Sequence, residues 1–267
     1  MKSRIISFLE EHARIRPLEK ARVLPGSPAI PEGSTIGIVG GGLAGPAFAR
    51  RVLSLASKMG ISIRVELLTT PSCNYCAGLI TDLSMKTMND LYDLSVSDYV
   101  IKETITEVVY MNRHGILQMP LSAPLTSVLR TNRFKQKGFD DSWLDSIFKG
   151  LSTLSSFNAH RDVRVTEIKR SERGSGFHIS YEKAAHVYSL PADFIVLATG
   201  LGSIQQPLIQ GFISNFGYKP PEMIDACVTE IDTSAATRYD FTGKILVMDG
   251  IVENCLVAFV PKGKGWV

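Results

Sequence analysis

The chain has 267 residues, 45% of them hydrophobic and 21% charged, with 22 Gly, 13 Pro and a formal net charge of +3. These proportions belong to a globular protein and exclude a disordered, collagen-like or coiled-coil chain. No run approaches the about eighteen apolar residues of a membrane helix, no basic run is interleaved with aromatics as nucleic-acid binding requires, and four cysteines are too few for a disulfide-built secreted scaffold.

Residues 3–14 carry Ile5, Ile6, Leu9 and Ala13 at helical spacing, which predicts a short amphipathic helix, either packed on the main domain or lying on a membrane surface. Glu10, Glu11 and Glu19 and the lack of an apolar core argue against a signal peptide, so the expected location is the cytoplasm. Pro17, Pro25, Gly26, Pro28, Pro31 and Gly33 read as a linker, so residues 1–34 form an N-terminal helix and linker. Ile36 to Val39 then reads as a strand, followed at once by Gly40-Gly41-Gly42-Leu43-Ala44-Gly45. Next comes a helical repeat of Phe48, Val52, Leu55 and Met59, opposed by Arg50, Arg51, Ser54 and Lys58, with Pro46 in the first turn where its missing N–H costs nothing. Gly60 ends the helix and Ile61 to Leu68 is a second, β-branched strand, completing a βαβ unit.

Residues 71–95 read as loop and helix, opening on Pro71-Ser72-Cys73-Asn74-Tyr75-Cys76-Ala77-Gly78. Glu103 to Met111 and Ile116 to Leu121 flank Asn112-Arg113-His114-Gly115 and predict a β-hairpin. A helix follows from Asp140 to Leu154, then strands Val163 to Lys169, Phe177 to Tyr181 and Phe194 to Ala198. After Gly200 the chain reads as irregular, with Pro207, Pro220 and Pro221, and Lys244 to Met248 and Leu256 to Val260 are the last strand-like runs.

The glycine hexapeptide carries the chemistry. Gly40 permits a tight turn off the strand, Gly42 lets the backbone approach a pyrophosphate, and Gly45 lets the helix pack close to the sheet. The helix start, at Leu43 and Ala44, offers N–H groups and a positive dipole end to phosphate. A dinucleotide site is the reading that uses all of this, with a purely structural turn as the alternative. The acidic residue expected at the tip of the second strand is absent: the tip falls at Thr69 or Thr70, and Glu66 lies too early. A threonine hydroxyl bonds a ribose without charge assistance. Downstream, the meander-like strands end in Asp193-Phe194-Ile195-Val196-Leu197-Ala198-Thr199-Gly200. An Ala-Thr-Gly at the end of a buried strand resembles the segment of two-dinucleotide-type flavoproteins that runs beside the flavin nucleotide, and favours FAD over a nicotinamide nucleotide.

On these residues the chain resembles the geranylgeranyl reductase-like group of FAD-dependent oxidoreductases over most of residues 35–267. The resemblance rests on Gly40 to Gly45, on Cys73 to Ile80, on Arg133 with Phe139-Asp140 and Trp143-Leu144, on Ala198-Thr199-Gly200 and on Phe259-Val260-Pro261-Lys262-Gly263. It implies an α/β fold: a Rossmann-like FAD-binding domain at 35–98 and 128–215, with an inserted, mainly antiparallel substrate domain, in part at 99–127 and 216–267. It also implies reduction of carbon–carbon double bonds in an isoprenoid or lipid-like substrate. The residues expected to hold FAD are Gly40, Gly42, Leu43, Ala44, Gly45, Thr69, Arg133, Ala198, Thr199 and Gly200, and the resemblance implies a cysteine loop near the flavin. The family's late Gly-Asp pair has no match, since Asp249-Gly250 has the wrong order, and the sequence stops just after Pro-Lys-Gly. A fragment of a longer oxidoreductase is therefore expected.

Three readings of Cys73 and Cys76 stand: a redox dithiol beside a flavin, half of a metal site lacking its other ligands, or small packing residues. The first gives an alternative function, a flavin-linked thiol–disulfide oxidoreductase; a further alternative is an inactive nucleotide-binding remnant. The five histidines are scattered, with His114 and His178 expected at solvated or edge positions. Arg130 and Arg133 form either a cofactor contact or a solvated basic loop, and Tyr75 either caps the flavin or packs. No metal is expected. A single glycine fingerprint leaves NAD(P)H as a transient electron donor, or a ferredoxin-like partner in its place. The expected partners are a small-molecule or lipid-like substrate, with neither nucleic acid nor a membrane span, and with peripheral membrane association open.

Overall fold

The computed structural model describes residues 30–70, 78–92, 100–128, 143–172, 174–200, 206–219, 227–229, 231–233, 240–250, 255–263 and 267. All but Ile30 and Pro31 of these belong to one compact unit, Glu32–Val267. The predicted helix at residues 3–14 lies outside the described residues.

β1 (Thr35–Val39), α1 (Ala44–Met59) and β2 (Arg64–Thr69) form the βαβ unit that the sequence predicts. β1 and β2 run parallel, Thr35 opposite Arg64 and Val39 opposite Leu68. They are joined by β10 (Phe194–Leu197) and β6 (Phe157–Arg161) in a four-stranded parallel sheet of order β10-β1-β2-β6. Asp193 fastens β10 to the start of β1: its carboxylate accepts the Thr35 N–H at 2.8 Å, and its own N–H donates to the Thr35 carbonyl at 2.8 Å.

A second sheet is an antiparallel meander of β7 (Arg164–Arg170), β8 (Phe177–Lys183) and β9 (His186–Ala192). It covers one face of the parallel sheet, and Gly37 marks the contact. A Cβ there would overlap Ile179 Cδ1 and lie 3.3 Å from Ala192 Cβ. Val39, Leu68, Val163, Ile168, Ile179, Tyr181 and Ala192 form the shared core, flanked by Leu208, Phe212 and Phe216 of α4 (Pro207–Phe216). α1 lies on the opposite face, over β1 and β2. The third sheet runs β12-β11-β4-β5-β3: β12 (Leu256–Phe259), β11 (Lys244–Asp249), β4 (Ile101–Asn112), β5 (Gly115–Val128) and β3 (Leu79–Thr81). It is antiparallel except between β4 and β11. Ile105, Ile245 and Val260 are its core. α2 (Asp82–Tyr92) and α3 (Trp143–Leu151) complete the described elements. Parallel and antiparallel sheets thus share one mixed α/β unit.

The structure corrects the sequence reading in three places. The repeat Phe48, Val52, Leu55 and Met59 is not the buried face of α1; Ala49, Leu53 and Ala56 are buried instead. Small side chains allow the helix axis close to the sheet, which the larger ones would hold away. The stretch after Gly200 is not all irregular, because Pro207 opens α4 rather than breaking it, with Gly217 left-handed at its end. β3, β6 and β9 are strands that the sequence pattern hid: β3 is three residues inside a stretch read as loop and helix, Phe-Asn-Ala-His-Arg is mostly polar, and β9 contains Pro191 and lies largely exposed. No helix among the described residues is long and apolar enough to cross a membrane.

Candidate functional site: the glycine turn

The turn after β1 is gripped from two sides. Gly40 donates its N–H to the Leu68 carbonyl at 2.9 Å, while Ala198 donates its N–H to Val39 at 2.8 Å. Gly40 has φ +120°, a backbone that L side chains rarely adopt, and a Cβ there would overlap the Ala198 carbonyl and sit 2.8 Å from the Thr199 nitrogen. The Ala-Thr-Gly segment is therefore the wall of the glycine turn. Ala198 and Thr199 are half-buried, whereas Gly200, at φ +80°, is exposed and faces open space.

The other glycines divide the work. A Cβ on Gly45 would overlap the Gly40 carbonyl and meet Ile38 Cγ2 at 3.4 Å, so Gly45 is what lets α1 close on β1. Gly42 has nothing within 4 Å of its missing side chain, so its outer side is open. Beside it, Leu43 is half-buried at the N-cap position and Ala44 is exposed at the first turn. No side chain caps α1, and its first turn carries no acidic residue. An uncapped helix start leaves first-turn N–H groups without intrahelical acceptors at the positive end of the helix dipole, the arrangement that binds an anion.

Gly41, which sequence reasoning passed over inside the glycine run, packs against the tip of β2. A Cβ on it would overlap the Thr69 side chain. Thr69 is half-buried, and its hydroxyl donates to the Thr70 carbonyl at 3.0 Å. With its proton so engaged, the Thr69 oxygen is left as an acceptor, as a carboxylate would be, but without the charge.

Glu66 is 7% exposed inside β2 and belongs to a different cluster. One of its oxygens accepts from Asn158 at 2.9 Å and meets His160 Nε2 at 2.7 Å, and Tyr181 lies 3.4 Å from His160 Nδ1. Burial pushes the Glu66 carboxyl up; the hydrogen bonds from His160 and Asn158, with the His160 and Arg64 charges, outweigh it and hold the group below its usual range. Burial raises Tyr181. This cluster ties β2 to β6 and to the meander; the sequence offered no sign of it, because its members are 92 and 94 residues apart. His114 and His178 are exposed.

Cys73, Cys76, Tyr75, Arg130, Arg133 and Phe139-Asp140 lie outside the described residues. The far end of the cysteine loop is visible at Gly78, whose carbonyl accepts the Val128 N–H at 2.9 Å. At φ +65°, its missing side chain would collide with the Val128 carbonyl and the Lys262 ammonium. Ser127, fully buried, donates its hydroxyl to the Pro261 carbonyl at 2.6 Å. The Pro-Lys-Gly segment and the end of the cysteine loop, remote in sequence, thus meet at β5. Asp249 ends β11, where Tyr110 donates its hydroxyl to it at 2.5 Å and is itself raised by that bond. Among the described residues no group of three or more His, Cys, Asp or Glu could hold a metal ion.

No protein-family model and no curated protein matches the sequence. Solved structures do match in fold. A flavoprotein/dehydrogenase from Cytophaga hutchinsonii aligns with TM-score 0.53 and 15% identity over 80% of this chain and 50% of that one. A triple mutant of the flavin-dependent brominase Bmp2 aligns with TM-score 0.54 and 15% identity over 86% of this chain and 54% of its own. P. aeruginosa PqsL in complex with 2-aminobenzoylacetate gives TM-score 0.52 and 11% identity over 88% and 59%. The chain spans between about half and three-fifths of these proteins. At such identities the likeness is one of fold, and the mixed α/β architecture of this chain is one that flavoproteins share.

Proposed function

We propose that this chain is the nucleotide-binding part of an FAD-dependent oxidoreductase that reduces carbon–carbon double bonds of an isoprenoid or lipid-like substrate. The observation that carries the reading is the open side of Gly42 beside the uncapped start of α1, walled by the Ala198-Thr199 backbone. An open backbone at an uncapped helix start favours an anionic group such as a pyrophosphate. Its occurrence in a fold shared with a flavoprotein/dehydrogenase and a flavin-dependent brominase supports FAD as the nucleotide.

In this reading Gly40 to Gly45 cradle the pyrophosphate, the Thr69 oxygen accepts a ribose hydroxyl, and Ala198 to Gly200 run beside the nucleotide. Bound FAD supplies the hydride chemistry. The chain's own part is to bind, orient and exclude water; Arg133, Cys73 and Cys76 are proposed at the flavin end, and NAD(P)H as the transient reductant. A lipid-like substrate is supported by the third sheet, where Leu117, Tyr110, Val247 and Ala258 lie side by side across four strands. On the other face Ile116, Met111, Met248 and Val257 do the same.

The test is the absorption spectrum of the purified protein. A band near ~450 nm released by heat, and lost in Gly42→Val while the melting temperature of the FAD-free protein holds, is the expected result. A colourless protein that takes up no added FAD overturns the proposal. Replacing both Cys73 and Cys76 with alanine should leave flavin reduction intact, whereas a disulfide enzyme would lose all turnover.

A further inference from the structure

The carboxyl edge of the parallel sheet sets an arginine beside the strand tip where the acid is missing. Arg161 ends β6 directly opposite Thr69, the last residue of β2, in parallel register. Such partners project from the same face of a sheet. One pair back, Leu68 and His160 face the meander: Leu68 belongs to the core shared with it, and His160 meets Tyr181. Thr69 and Arg161 therefore share the α1 side. Two contacts agree. The Thr69 side chain borders Gly41 of the glycine turn, and the Arg161 guanidinium lies 4.7 Å over the Phe148 ring of α3. α3 itself packs on α1, where Arg50 approaches Gly150.

The corner formed by these two side chains has no negative charge of its own. Thr69 is neutral, and the Glu66 carboxylate is on the meander side, engaged by His160 and Asn158. Arg161 is exposed, and among the described residues it pairs with no carboxylate. Its acidic neighbour in the chain, Asp162, is exposed at φ +59°, where the chain leaves the strand. A guanidinium stacked on a ring keeps its planar N–H edge free, and that edge matches a phosphate bidentately. A carboxylate at this corner would accept from a ribose 2′-hydroxyl and repel a 2′-phosphate. A cation beside a neutral hydroxyl does the reverse.

We propose that Thr69 and Arg161 select the nucleotide by its adenosine 2′-position, so that the turn takes an adenine dinucleotide bearing a 2′-phosphate more tightly than the same dinucleotide without it. Resting on the nucleotide reading of the glycine turn, this assignment gives FAD a competitor for one site. Arg161 would hold the added phosphate, or donate to the free ribose oxygen of FAD, whose own proton goes to Thr69. The probes are NADP+ and NAD+, which differ only in that phosphate and both carry a pyrophosphate. They are titrated by calorimetry into the full chain freed of any bound flavin, and FAD added to the same sample reports on the nucleotide reading alone. NADP+ should bind about tenfold or more tighter than NAD+. Arg161→Gln should bring that ratio to about one while leaving NAD+ binding nearly as it is, and Arg161→Lys, which keeps the charge, should restore part of it. An Arg161 that only covers Phe148 would lower the melting temperature in both variants without moving the ratio, which overturns the proposal. A preference for NAD+ that Asp162→Asn abolishes also overturns it, in favour of Asp162 as the ribose acid. Binding of FAD with no preference for NADP+ over NAD+ overturns the selection by Arg161 and leaves the nucleotide reading standing, whereas a chain that binds none of the three overturns both.

Discussion

Alanine at Gly42 and at Gly40 should act in opposite ways although the two lie in one turn. Gly42 has free space where a side chain would go, so Gly42→Ala should leave thermal stability unchanged and weaken FAD binding, read by titration of flavin fluorescence. Gly40→Ala meets both a left-handed backbone and the Ala198 carbonyl and should lower unfolding stability by about 1–3 kcal/mol. Thr69→Val keeps the shape that packs on Gly41 and removes one neutral acceptor, so FAD binding should weaken by about two- to tenfold without loss of fold. Glu66 belongs to the scaffold. Glu66→Gln should cost about 1–3 kcal/mol at neutral pH by weakening a buried bond to His160. Because the folded carboxyl titrates below its ordinary value of 4.5, its contribution is complete above that value and fades as pH falls through the folded pKa. The difference between wild type and Glu66→Gln in urea melts should therefore shrink under acid conditions.

At the scale of elements, the contact between the parallel sheet and the meander depends on the absence of a side chain at Gly37. Gly37→Ala brings a methyl onto Ile179 Cδ1 and should destabilise by about 1–3 kcal/mol. Ile179→Val removes that terminal carbon, so the double variant should be more stable than the sum of the two losses predicts, a coupling that thermal melts of the four proteins would measure. Elements with a strong local pattern were legible in the sequence: β1, α1, β2, the β4–β5 hairpin and β10 all stand where apolar runs and glycines put them. Those held by tertiary contacts were not. β6 takes its place because Asn158 and His160 reach Glu66 on the neighbouring strand, and the buried side of α1 is mostly small residues around Leu53, which a search for a large apolar stripe overlooks.

For the whole molecule, ligand linkage gives the broadest check. FAD at about a hundred times its dissociation constant should add about 2.7 kcal/mol to folding stability, visible as a rise in melting temperature that Gly42→Val abolishes. The glycine turn was legible because its chemistry is local, six consecutive residues between a strand and a helix. Its surroundings were only partly so: Ala198-Thr199-Gly200 was recognisable as a segment, but its contact with Gly40 depends on β10 pairing with β1 across more than half the chain.

That pairing has a bearing on biosynthesis. Since Gly40 rests on Leu68 and on the backbone at Ala198, the nascent polypeptide carries its glycine turn long before the ribosome has made the strand that braces it. A product interrupted before Ala198 would emerge with the turn but without its brace, so nucleotide uptake is expected only from chains that extend past Thr199.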